Sequence, residues 1–246
     1  MNWVLLRGLT REARHWAGLP EQLAAAGEAV LTLDLPGNGA FNGQRSPATV
    51  RAMVQFARAQ LRLQGVAPPY RLLAMSLGGM VATDWAQQFP DEVAALVLVN
   101  TSMRPFSPAT DRLRPGNWPA LLRLAAFWND KAGAEEIIHR LTCRRTDTLR
   151  QDITAWQQIR RSAPVTAGNA WRQLWAAARF SAAPVAPACP VLLLSSANDG
   201  LVHPRCSAAL ARAWQVEHHI HPWAGHDLPH DDLGWVCQRL ADWLES

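Results

Sequence analysis

Five short runs of nearly unbroken apolar residues limit what this chain can become. They span 2–6, 29–35, 70–76, 93–100 and 190–196. A strand with one wet face alternates apolar and polar residues; these do not, so both of their faces must be covered. A sixth, more polar run covers 216–222. Helix-like stretches separate them. Residues 12–26 carry Ala and Leu at helical spacing and stop at Gly27. Residues 47–64 open on Pro47 and close at Gly65. Further helices are predicted over 77–88, 204–214 and 231–245. Alternation of this kind predicts an α/β fold: a doubly wound, mainly parallel sheet of about six strands.

One segment breaks the rhythm. Residues 103–180 hold no strand-like run, but several amphipathic stretches follow Pro105, Pro108, Pro115 and Pro119. We read 1–102 and 181–246 as one core and 103–180 as a helical insertion. The insertion carries 13 Lys and Arg against 6 Asp and Glu, whereas the rest of the chain has 11 against 14. It also holds Trp118, Trp128, Trp156, Trp171 and Trp175. The plain reading is solvated arginines on helix backs with tryptophans packed beneath. The sharper one is an apolar channel under a surface that attracts an acidic partner.

The overall charge of +4 is too mild to imply nucleic acid. No long apolar run predicts a membrane span, and the start of the chain does not resemble a signal peptide, so the expected location is cytoplasmic. The four cysteines are scattered and read as reduced thiols. His219 and His221 share a strand face, but no carboxylate cluster supports a metal there. No metal and no cofactor are expected.

Chemistry enters at "RLLAMSLGGM" (71–80). An apolar strand ends at Ser76, with small residues Ala74 and Gly78 on either side. A sharp strand-to-helix turn of that kind can expose a nucleophile. A serine also needs a base and a carboxylate to orient it. Asp199 follows the fifth run and His226 the sixth, in the order and at the strand ends such a site requires. Asp227 adjoins His226 and reaches its ring poorly, and Asp34 reads as structural. The oxyanion donors are expected to be the amides of Leu77 and Leu9, the latter in a loop turned by Gly8.

Taken together, "RGL" (7–9), "DLPGNG" (34–39), "AMSLGG" (74–79), "PDEVAALVLVNTS" (90–102), "ANDGLV" (197–202) and "AGHDLP" (224–229) resemble the serine hydrolases of the α/β-hydrolase fold. The resemblance implies Ser76 as nucleophile, Asp199 as acid, His226 as base, and 103–180 as a lid. The reaction expected of that triad is hydrolysis of a carboxylic ester through an acyl-enzyme, and the tryptophan-rich insertion points to an apolar small-molecule ester as substrate. Cleavage of a C–C bond and perhydrolysis use the same triad and stay open, and a non-catalytic binding module is the remaining reading. Dehalogenase and epoxide-hydrolase chemistry needs Asp at the elbow. The layout is also similar to acyl-carrier-protein methyl ester esterases, which would put an acidic carrier at the Arg-rich lid. Three departures stand out. Arg7 replaces the histidine usual before Gly8, and either braces the oxyanion loop or meets an anionic substrate. Ala74 replaces a glycine. Two N-terminal antiparallel strands are missing.

Overall fold

The computed structural model describes residues 1–128 and 130–245. Six strands form one sheet: β1 (Asn2–Leu6), β2 (Ala29–Thr32), β3 (Tyr70–Met75), β4 (Val93–Val99), β5 (Val191–Ser196) and β6 (Glu217–His221). Their order is β2-β1-β3-β4-β5-β6. Every pairing is parallel. The predicted doubly wound α/β sheet of six strands is therefore what forms.

The apolar runs are continuous because side chains leave the sheet alternately and find cover on both sides. Val4, Leu6, Leu72, Leu96 and Leu193 face one cluster; Trp3, Leu5, Leu73, Val97 and Leu192 face the other. The first is closed by α2 (Val50–Leu63), α3 (Leu77–Gln88) and α9 (Arg205–Trp214), through residues such as Met53, Trp85 and Leu210. The second is closed by α1 (Leu19–Ala25) and α11 (Leu233–Glu245), through Leu19, Leu23, Val236 and Leu240. Burying one such side chain is worth about 1.5–3 kcal/mol.

Several boundaries move from their predicted places. Residues 12–26 are not one helix. A 3-10 turn over Ala13–His15 ends first, and α1 begins only at Leu19, after Ala17 and Gly18 at positive φ. Pro20 explains the restart, because its ring and missing N–H are tolerated only in a first turn. Helix α2 starts at Val50 rather than Pro47, since Thr49 is extended and its Oγ1 accepts from the Ala52 amide at 3.3 Å. Strand β2 ends at Thr32 rather than Leu35. Asp231 belongs to a short α10 (Leu228–Asp231) that precedes α11.

Between β4 and β5 run α4 (Ala109–Arg112), α5 (Trp118–Ala126), α6 (Lys131–Thr142), α7 (Leu149–Ser162) and α8 (Ala167–Arg179). The segment leaves and rejoins the core at one point: Arg104 bridges Ser181, and the Ala182 amide donates to the Arg104 carbonyl at 2.8 Å. Its tryptophans depart from the plain reading. Trp156 is buried, but Trp118, Trp171 and Trp175 are exposed.

Candidate active site

Ser76 stands between β3 and α3 at φ 54°, ψ −118°. That is a strained conformation for a residue with a Cβ, held only because its surroundings over-determine it. Its amide donates to the Val99 carbonyl at 3.0 Å, and its carbonyl accepts from Thr101 Oγ1 at 2.8 Å. A Cβ at Gly78 would collide with the Leu6 carbonyl and stand 2.7 Å from that of Arg7. Gly78 therefore lets α3 sit against the end of β1. Ala74 is fully buried in the first cluster, and its methyl does not prevent the turn.

His226 Nδ1 donates to Asp199 Oδ2 at 2.7 Å, and both residues are buried. The other Asp199 oxygen accepts from the Leu201 and Val202 amides at 2.8 and 2.9 Å. A ring that donates through Nδ1 keeps a lone pair on Nε2 when neutral. Asn100, at the end of β4, donates to the His226 carbonyl at 2.8 Å. It thereby ties the histidine loop to the strand whose next residue, Thr101, holds Ser76. Among the described residues Ser76 Oγ makes no hydrogen bond, including none to His226.

The loop after β1 closes over the serine. A Cβ at Gly8 would lie 3.0 Å from Ser76 Cβ and 3.5 Å from its Oγ. The Leu9 and Leu77 amides have no hydrogen-bond partner among the described residues. Leu77 is the first residue of α3, where an unpaired N–H is expected. Gln173 of α8 had no sequence signal. It is fully buried, accepts from the Thr10 amide at 2.8 Å and donates to Asn38 Oδ1 at 2.8 Å.

Arg7 is turned into the interior. It is buried, with Nη2 2.6 Å from Asp227 Oδ2 and Nη1 3.1 Å from Asp227 Oδ1. Burial pushes the Asp227 carboxyl up, but the Arg7 charge and hydrogen bonds outweigh it and leave it below its ordinary value. The ion pair ties the end of β1 to the residue after His226. Asp34 is structural, accepting from the Ala13 and Ala40 amides. His219 and His221 pair separately with Glu217 and Asp232.

A second serine–histidine contact exists: Ser195 Oγ to His218 Nε2 at 2.7 Å. Ser195 lies fully buried within β5, and His218 has no carboxylate partner among the described residues. Burial lowers the His218 pKa.

The model of the α/β-hydrolase fold family matches residues 4–233. The chain belongs to that family. It is 31% identical over 220 residues to a pimeloyl-[acyl-carrier protein] methyl ester esterase of Klebsiella pneumoniae (strain 342), covering 86% of this chain and 80% of that one. A thermophilic esterase from Thermogutta terrifontis superposes with a TM-score of 0.78 at 25% identity, over 100% of this chain and 89% of the other. An enol-lactonase from Burkholderia xenovorans LB400 superposes with a TM-score of 0.79 at 19% identity, over 100% and 91%. The second likeness speaks for the fold alone. This α/β hydrolase is thus esterase-like, and among the described residues no helix is long and apolar enough to cross a membrane.

Proposed function

We propose that this α/β hydrolase cleaves a carboxylic ester through an acyl-enzyme on Ser76. The observation that carries the reading is the buried 2.7 Å His226–Asp199 bond, paired with an elbow serine at φ 54°. His226 Nε2 takes the Ser76 proton as Oγ attacks the ester carbonyl. Asp199 holds Nδ1–H and stabilises the imidazolium. The Leu9 and Leu77 amides receive the oxyanion. The alcohol leaves with the proton from His226, and a water deprotonated by His226 then releases the acid. The Ser76–His226 contact belongs to the loaded enzyme, since such hydrogen bonds are long in empty sites and tighten around substrate. In this reading 103–180 is the lid over the site.

A methyl ester carried on an acidic acyl-carrier protein is the favoured substrate. The named relative from Klebsiella supports it, as does the excess of seven positive charges on the insertion.

The test is hydrolysis of p-nitrophenyl esters, free methyl esters and carrier-bound methyl esters by wild type, Ser76→Ala and Ser195→Ala. Ser76→Ala is expected to lose at least about a thousandfold in kcat, and Ser195→Ala to stay within about threefold. The opposite pattern would move the nucleophile to Ser195. A carrier-bound ester hydrolysed no better than its free counterpart removes the carrier.

A further inference from the structure

A second cluster of reactive side chains lies where the insertion meets the core. One ligand atom from each of His139, Cys143 and His230 lies within 4.8 Å of the others. His139 sits on α6, Cys143 one turn later, and His230 on α10, four residues past His226. Asp152 of α7 touches both rings: its Oδ2 is 3.4 Å from His139 Nε2 and 3.0 Å from His230 Nε2. His139 and Cys143 are buried.

We infer that His139, Cys143, Asp152 and His230 form a site for a divalent transition metal of the zinc type, clamping the insertion to the loop that carries His226. Two imidazoles, one thiolate and one carboxylate are a donor set that suits such an ion. Two imidazoles sharing a zinc at about 2.0–2.1 Å and the tetrahedral angle place their ring centres roughly 5 Å apart. The His139 and His230 rings stand 5.7 Å apart at 87°, so the rings are near that separation, and the ligand atoms, now within 4.8 Å of one another, must draw together to share one ion.

Charge points the same way. Asp227 is matched by Arg7, and Asp231 is taken up by the amides of Arg144, Arg145 and Gly225. Among the described residues Asp152 makes no direct ion pair with Arg or Lys, although its charge is felt at Arg145; its hydrogen-bond partners are the two histidines and Thr148 Oγ1. A partly buried carboxylate bonded to two rings and lacking a direct cationic partner favours a cation beside it. Binding turns the Cys143 thiol into a metal thiolate and releases its proton to solvent. The three lid ligands and the one core ligand give the ion a mechanical role that does not depend on the Ser76 chemistry.

The test uses the full chain, dialysed against a chelator and titrated with Co2+ and, separately, Zn2+. Wild type is expected to take up about one Co2+ with a thiolate-to-cobalt charge-transfer band, and to melt at higher temperature with Zn2+ than without. The band should survive joint replacement of Cys189, Cys206 and Cys237 by Ser, and vanish in Cys143→Ser and His230→Gln. Asp152→Asn should weaken binding about ten- to a hundredfold. A folded wild type without the band, or a band that persists in Cys143→Ser or in His230→Gln, overturns the site. Should Cys143→Ser fail to fold, the triple-serine chain and His230→Gln decide.

Discussion

Arg7 and Asp227 bury a complete ion pair between the end of β1 and the residue after His226. Neither charge has water to fall back on, so each is costly alone. Removing one partner from such a pair typically costs 3–5 kcal/mol, whereas replacing both with apolar groups is often neutral. We expect about that loss from Arg7→Met or Asp227→Leu. Most of it should return in the Arg7→Met/Asp227→Leu double variant. Urea unfolding of the four proteins checks this, and additive losses would show that the pair is not coupled. The sequence offered Ser76, Asp199 and His226 as candidates through their chain order and strand-end positions, and the fold brings His226 onto Asp199. The sequence left the role of Arg7 open, because its partner lies 220 residues away and no spacing links them. The cluster around Cys143 went unread, because the cysteines look scattered along the chain and His139, Asp152 and His230 meet only once α6, α7 and α10 fold together.

Helix α8 reaches into the core through one face. Gln173 holds the Thr10 amide beside Leu9, and Asn169 Oδ1 accepts from the Ser46 amide at 2.9 Å. Gln173→Leu would leave the Thr10 N–H and the Asn38 amide short of partners in a buried place, at about 1–3 kcal/mol. At this chain length each kcal/mol moves the melting temperature by roughly 2–4 °C. We expect that fall together with a lower kcat, because the loop offering the Leu9 amide loosens. Calorimetry and ester kinetics on Gln173→Leu read both, and an unchanged melt with unchanged kcat would show that α8 does not hold the loop. Elements with sharp ends in sequence were predicted to the residue, as in the apolar run 2–6 and in 77–88, which lies between Ser76 and Phe89-Pro90. The stretch 12–26 failed although Pro20 was in plain view: Ala and Leu at helical spacing outweighed a residue that can only begin a helix. The exposure of Trp118, Trp171 and Trp175 could not be read from pattern, since it depends on how the insertion's helices face one another.

Across the whole molecule, acid is the weak side. His15 is fully buried, its Nδ1 accepts from the Glu12 amide, and Arg11 and Arg7 lie near. Burial first, then those positive charges, hold its pKa well below the ordinary value near 6.5. The unfolded chain therefore takes up a proton that the fold refuses. Stability is whole above about pH 6.5 and is lost as pH falls below it, by about 1.4 kcal/mol per pH unit for one such group. Melting curves between pH 7 and 5 should show this slope, and His15→Asn should flatten it by about one proton; an unchanged slope would clear His15. The bridge between Arg104 and Ser181 ties together the two ends of the segment between them. Two stubs held side by side make the intervening chain a closed loop, and doubling the length of such a loop adds only about 0.6 kcal/mol to its closure. The sheet with its elbow behaves as a socket, and what plugs into it can be exchanged for a longer or differently charged piece without disturbing the register of β4 against β5.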